Sequence, residues 1–363
     1  MLLLLLACTD APDTAPTDDT HDTGEITDTG PYDVDGDGFT ADVDCDDADP
    51  LTHPDADEQP NGWDDNCDGQ IDELVCTADE GATVLEGYSL FRALHVGDDL
   101  ELGEITGLAV AEGAFQPGDH PGVLLAVEDG DSVGVVRLDR SGAFVDWLVE
   151  PGTLPVDVQL QAGGDAVYGC SWQGPHVWEI DASGGVTVAI TDFGACSGMA
   201  WGDAGDGEML FVSHADSGVA WALDQGTVTE ALGIVADLSG LDLPPAESTF
   251  PRALYGLGAD GVYTWLPDGT EDRPWSLASS GLGLSQVMGF GSGALGDSLY
   301  VLSWSLDRLQ RMGVDGTVED VVRGPFLLLH EQTPALVVQG DTVWFANEQD
   351  RLWRLTPCDG PAN

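Results

Sequence analysis

The sequence predicts an all-β protein: a six-bladed β-propeller preceded by a small Asp-rich loop module and a disordered N-terminal tether. Three observations carry this. An apolar run, usually with an aromatic, recurs six times, centred on Leu125, Tyr168, Phe211, Tyr255, Tyr300 and Trp344 at spacings of 43, 43, 44, 45 and 44 residues. Glycine turns follow within the first five repeats, at Ser141-Gly142, Ser183-Gly184, Gln225-Gly226, Asp268-Gly269 and Asp315-Gly316, which is the pattern of β-hairpins. Upstream of the repeats, Asp33-x-Asp35-x-Asp37-Gly38 spaces carboxylates two residues apart before a glycine.

In chain order, residues 1–8 read MLLLLLAC. This apolar run ending in Cys8 resembles a bacterial lipoprotein signal, and the resemblance implies lipidation of Cys8 and removal of residues 1–7. Residues 9–32 are Thr-, Asp- and Pro-rich with almost no large apolar side chains. Such a segment cannot bury enough surface to fold and is expected to be an extended, self-repelling tether.

Residues 33–75 form the acidic module, and its 33–73 stretch contains no Lys or Arg. A tight loop starting at Asp33 directs Asp33, Asp35 and Asp37 at one cation, with Gly38 making the sharp turn. Phe39 offers a backbone carbonyl at the seventh position, Asp44 falls at the twelfth, and Asp42 and Asp46 flank it. A second loop starts at Asp64-x-Asn66-x-Asp68-Gly69, with Asp72 and Glu73 close behind. Two carboxylates about 4 Å apart repel by roughly 4 kcal/mol at an effective dielectric of about 20. A compact fold of this stretch therefore needs a cation, and a donor set this rich in oxygen points to calcium.

The pieces DGDGF (35–39), DCDDADP (44–50), Pro54, Glu58 and NGWDDNCDGQIDE (61–73) resemble the MopE-type metal-binding motif of secreted and surface bacterial proteins. They are similar in style to thrombospondin type 3 calcium repeats. The resemblance implies a Cys45–Cys67 disulfide, and copper or other metals in some members. This chain has Pro60 where the family usually has a cysteine before the Asn-Gly pair.

From residue 76 to 363 the chain is read as the propeller. Each central run is followed by a second strand-like run, such as HVWEID (176–181), then a turn such as Ser183-Gly184, then a third run such as VTVAI (186–190). Several short strands per repeat of about 44 residues is the signature of a propeller blade. The sixth repeat stops at Leu355 after its third strand, and TVLEGYSLFRALHV (83–96) is the spare segment that can supply its outer strand. That closure would bring Cys76 and Cys358 to one blade, while Cys170 and Cys196 fall in loops of a shared face. Six cysteines allow 15 connectivities, and an even number in an exported chain favours disulfides. The phrase RLQRMGVDGTVEDVV (308–322) resembles the NHL, gluconolactonase and virginiamycin-lyase propellers. The resemblance implies a six-bladed fold and carries no catalytic residue across.

Loops after the second strand of each blade and loops entering the first share one face. On this register they collect Glu128, Trp172, His214, Trp304, Asn347 and Glu348 as a candidate ligand face for a protein, peptide or carbohydrate. With 66 acidic and 10 basic residues the net charge is −56, which excludes a phosphate-tracking nucleic-acid binder. No later segment is apolar for 18 residues, so membrane association is expected through the lipid anchor alone. Nucleophile-elbow, zincin, P-loop and Rossmann patterns are absent from the sequence. The expected function is that of an exported calcium-binding lipoprotein, at the outer membrane or cell surface, whose propeller is a binding scaffold. The alternative is a metal-dependent hydrolase or lyase of lactonase type at the channel mouth, with no catalytic residue named.

Overall fold

The computed structural model describes residues 33–54, 56, 64–68, 78, 82–96, 103–111, 113–116, 122–139, 142–203, 207–214, 219–224, 227–233, 238–246, 248–258, 261–265, 271–276, 282, 285–293, 296–303, 306, 308–323, 335–339, 342–346 and 351–358. Cys8 and the 9–32 tether lie outside them. The described residues of 33–68 form turns and bends without strands, the described propeller residues are in strands and their connections apart from a 3-10 turn at Gly113–Phe115, and no described helix is long and apolar enough to cross a membrane.

Two strands precede the repeats: β1 (Thr83–Val84) and β2 (Tyr88–His95). Four-stranded antiparallel sheets follow in order. The first holds β3 (Ile105–Ala111), β4 (Gly122–Asp129), β5 (Ser132–Leu138) and β6 (Phe144–Leu154). The second holds β7 (Val158–Gly163), β8 (Ala166–Ser171), β9 (Val177–Ile180) and β10 (Val186–Ile190). The third holds β11 (Cys196–Asp203), β12 (Glu208–His214), β13 (Val219–Asp224) and β14 (Thr227–Gly233). The fourth holds β15 (Leu238–Asp242), β16 (Leu254–Gly258), β17 (Gly261–Trp265) and β18 (Glu271–Ser276). The fifth holds β19 (Ser285–Gly293), β20 (Gly296–Ser303), β21 (Arg308–Met312) and β22 (Val318–Arg323), with β1 added outside β22. In the last, β23 (Ala335–Gln339), β24 (Thr342–Ala346) and β25 (Arg351–Pro357) are completed by β2 on the outside. The N-terminal strand thus closes the sheet that the C-terminus leaves one strand short.

The first strands β3, β7, β11, β15, β19 and β23 contact one another in a closed cycle, which is the layout of a propeller around a channel. Apolar clusters fill each interface between neighbouring sheets. Leu124 and Ala126 of β4 pack towards the second sheet, whereas Val123, Leu125 and Val127 pack towards the last. Both faces of β4 are therefore covered, and Val123 to Val127 are all at most 2 % exposed. A strand buried on both faces reads as a continuous apolar run rather than an alternating one, which is why VLLAV and its counterparts stood out. Each such Leu or Val contributes roughly 1.5–3 kcal/mol on burial.

The predicted glycine turns at Ser183-Gly184 and Asp315-Gly316 have Gly184 at φ 83° and Gly316 at φ 79°. Asp181 Oδ1 accepts from the N–H groups of Ser183 and Gly185 in the first of these.

Candidate functional site

The described part of the acidic module is built by its own carboxylates. Asp33 Oδ1 accepts from Gly36 N at 2.7 Å and its Oδ2 from Gly38 N at 3.0 Å. Asp35 Oδ1 accepts from Asp37 N at 3.2 Å, and Asp37 Oδ1 from Phe39 N at 2.7 Å. Gly36 and Gly38 take φ of 86° and 104°, values that glycine adopts without steric cost. A helical turn, Asp44 N to Thr40 O at 3.0 Å, then swings Asp44 back to the loop. The result groups the carboxylates of Asp33, Asp35 and Asp37, with ligand atoms within 4.8 Å of one another.

One oxygen on each of three acids is left over. Asp35 Oδ2, Asp37 Oδ2 and Asp44 Oδ2 are buried and accept no hydrogen bond, and Asp44 is only 8 % exposed. Burial, and then the like charges of Asp37, Asp44 and Asp33, push the Asp35 carboxyl up. Asp44 rises for the same reasons, burial first and then Asp37, Asp47 and Asp46. Buried carboxylate oxygens without donors cost free energy unless a cation takes them.

The second loop shares one of these bonds, Asp68 N donating to Asn66 Oδ1 at 3.0 Å as Asp37 N does to Asp35, and adds one from Asp68 N to Asp64 Oδ1 at 3.0 Å. The two loops are tied by the Cys45–Cys67 disulfide, Cα to Cα 5.6 Å, and by His53 N donating to Asp65 O at 2.9 Å. His53 stacks on Phe39 with ring centroids 4.8 Å apart. Asp44 also lies beside Cys45 and Cys67, but the disulfide occupies both sulfurs and leaves oxygen donors. Asp42 is exposed and accepts from Thr40 Oγ1; Asp46 Oδ1 accepts from Asp46's own turn, at Ala48 N. Asp72 and Glu73 lie outside the described residues.

On the propeller, Cys170 and Cys196 are joined, Cα to Cα 5.9 Å. Cys358 is also disulfide-bonded; Cys76, its expected partner, lies outside the described residues. Disulfides of this kind belong to a chain that matures in an oxidising compartment, extracellular or periplasmic.

The face expected to gather ligands is partly described. Glu128 lies near the end of β4, where its Oε1 accepts from Asp157 N at 3.2 Å. Asp157 in turn accepts from Gln173 Nε2, linking the first and second sheets. Trp172 is 57 % exposed beside this pair. His214 ends β12 and packs against Phe193, ring centroids 5.6 Å apart. Trp304, Asn347 and Glu348 lie outside the described residues.

Sequence reasoning anticipated a channel but missed the residues that line it. A cavity of about 550 Å³ runs between the first strands, and Glu128, Trp172 and His214 do not line it. Among the described residues its charged lining is Asp203, Glu208, Asp242 and Arg252. Asp242, the last residue of β15, accepts from Leu243 N at 2.8 Å through Oδ1 and from Phe290 N at 2.7 Å through Oδ2. Burial pushes its carboxyl up to about 7, against two backbone hydrogen bonds that pull it down. A signal was available: Thr106-Gly107, Ser197-Gly198 and Ser239-Gly240 repeat a hydroxyl-glycine pair at the start of first strands. Each sits at a register shift in the pairing with the second strand. Glycine is needed there: a Cβ on Gly107 would lie 2.5 Å from Val158 O, and one on Gly198 3.0 Å from Leu241 N.

The family model Cu-binding_MopE, described as "Putative metal-binding motif", matches residues 44–73. No curated protein sequence matches the chain. Among solved structures, a gluconolactonase of Xanthomonas campestris is similar with a TM-score of 0.55 and 13 % identity, covering 80 % of this chain and 99 % of that one. A protein of unknown function from Bacteroides thetaiotaomicron gives 0.51 and 14 %, covering 75 % and 76 %. Virginiamycin B lyase of Staphylococcus aureus gives 0.50 and 17 %, covering 74 % and 99 %. At these identities the likeness is one of fold. The chain is thus a propeller similar in architecture to those proteins, with a metal-binding motif match over 44–73 in front of it.

Proposed function

We propose that the protein is an exported, lipid-anchored calcium-binding protein whose six-bladed propeller is a ligand-binding scaffold. The observation that carries the calcium assignment is the trio of buried, unpartnered oxygens on Asp35, Asp37 and Asp44. A hard cation with flexible, oxygen-rich coordination suits them, and Asp33 fixes the loop that presents them. Copper and zinc favour nitrogen or thiolate donors, and the described loops offer a disulfide and a histidine stacked on Phe39 instead. The scaffold reading is supported by the channel's lining. That lining sets apolar side chains such as Leu241, Phe290 and Trp201 beside a few charged ones around about 550 Å³, the range that encloses a small molecule.

Calcium titration of the full chain by isothermal calorimetry tests the reading. Binding at about 0.1–1 mM is expected, the range of extracellular calcium modules. No calcium heat up to about ten times that range would sink it. The anchor is tested separately: wild-type protein expressed in a bacterial host should enter the detergent phase and Cys8→Ser should stay in the aqueous phase. Aqueous partitioning of both would remove the anchor while leaving the metal site.

A further inference from the structure

The channel has a lopsided lining. Among the described residues three carboxylates, Asp203, Glu208 and Asp242, line it with one guanidinium, Arg252, and Arg252 Nη2 is already held by Asp203 Oδ2 at 3.4 Å. Asp242 receives backbone N–H groups alone and pairs with no cationic side chain among the described residues. Apolar surface adjoins it: Leu241, Phe290 and Trp201 line the same cavity. We propose that the channel binds a small organic cation, a protonated amine bearing an apolar group, with Asp242 as its counter-charge.

The competing ligand classes fit worse. A divalent metal needs several converging oxygen donors, and such groupings among the described residues occur only in the acidic loops. An anion would enter a wall whose described residues hold three acids to one base, in a chain of net charge −56. A neutral ligand would leave the desolvated carboxylate uncompensated, a cost that an ammonium group removes. Aromatic walls add cation–π attraction. The cavity's volume, about 550 Å³, is in the range that encloses a small molecule. The inference deepens the reading of the propeller as a binding scaffold and makes no use of the calcium loops.

The test uses three probes of one shape on the calcium-loaded full chain: benzylammonium, benzyl alcohol and benzoate. Calorimetry in about 0.15 M salt screens the surface charge. Benzylammonium should bind one site at least about tenfold more tightly than the other two, and Asp242→Asn should abolish that preference. On the wild type, its affinity should fall about tenfold between about pH 8 and about pH 6 as Asp242 takes up a proton. The other titratable groups on this lining are Asp203, Glu208 and Arg252. Tyr255, paired with Asp242 across β15 and β16, stays neutral there, its phenol pushed up to about 12 by burial. The pH series decides the matter if Asp242→Asn does not fold. Equal or tighter binding of benzoate or benzyl alcohol, no heat from any probe, or a preference surviving Asp242→Asn would overturn the proposal. An Asp44→Asn protein separates the two sites. It should lose calcium and keep benzylammonium, and loss of both would move the amine to the acidic loops and overturn the channel site.

Discussion

Asp44 is the residue on which the acidic module turns. It is the twelfth position of the first loop, is nearly fully buried and carries an unpartnered oxygen. Its neighbour Cys45 is bonded to the second loop. Replacing it with Asn removes one ligand charge while keeping the shape, so calcium affinity in the full chain should fall at least about tenfold; Asp42→Asn, on an exposed side chain, should matter less. Asp242 makes the second prediction at this scale. Its folded-state carboxyl is raised from 3.8 to about 7, so the unfolded chain gives up its proton first. The stability tied to this group is full below about pH 4 and lost as pH rises through about 7, a change of about 2 to 4 kcal/mol. Denaturant unfolding of wild type and Asp242→Asn should therefore diverge over that interval, with the wild type alone losing this increment. Parallel curves would mean that the channel solvates Asp242 well.

At the scale of the element, two features hold the ring. The first strands approach so closely that Gly107 cannot carry a side chain without meeting the backbone of β7. Gly107→Ala should cost about 1–3 kcal/mol by overpacking, measured against Gly130→Ala, where an added Cβ meets nothing and only the φ of 66° opposes it. The other feature is β2, which completes the last sheet by pairing with β25 from Tyr88↔Pro357 to His95↔Arg351. Leu90 on this strand is fully buried, so Leu90→Ala should lower stability by about 3 kcal/mol in equilibrium unfolding. A loss near zero would mean that β2 lies on the ring without closing it. The need for β2 was legible because the last repeat ended one strand early. The spare segment read as one strand over 83–96 is two in the structure: Thr83–Val84 joins the edge of another sheet as β1, a split that so short a strand has no periodicity to reveal.

For the molecule as a whole, the propeller and the acidic loops draw on different forces. The propeller has an apolar cluster at each junction of neighbouring sheets, whereas the loops are held by a disulfide, Asx-type hydrogen bonds and the proposed cation. Chelation of calcium should therefore raise amide exchange over residues 33–68 and leave the propeller's exchange and melting unchanged. Reduction should act on both. A disulfide spanning the 26 residues between Cys170 and Cys196 contributes about 3 kcal/mol in the chain-entropy picture, so reductant should lower the melting temperature of the propeller. A melting transition that shifts on chelation but not on reduction would reverse this division of forces.

Local spacing in the chain specified the sheets and the grouping of the first acidic loop. Leu125, Tyr168, Phe211, Tyr255, Tyr300 and Trp344 fall on the second strand of each successive sheet, where burial on both faces demands an unbroken apolar run. Asp33, Asp35 and Asp37 gather within one loop because alternate residues before a glycine fold onto one centre. Which oxygens would be left without donors, and that Asp44 would be buried among them, depended on a turn and a disulfide that bring distant residues together. The lining of the channel followed from tertiary structure alone. Asp203 is distant in sequence from Asp242 and Arg252, and all three resemble ordinary acidic and basic positions. They share a cavity only because the first strands lie side by side around one axis, and that closure fixes the desolvation that lifts Asp242.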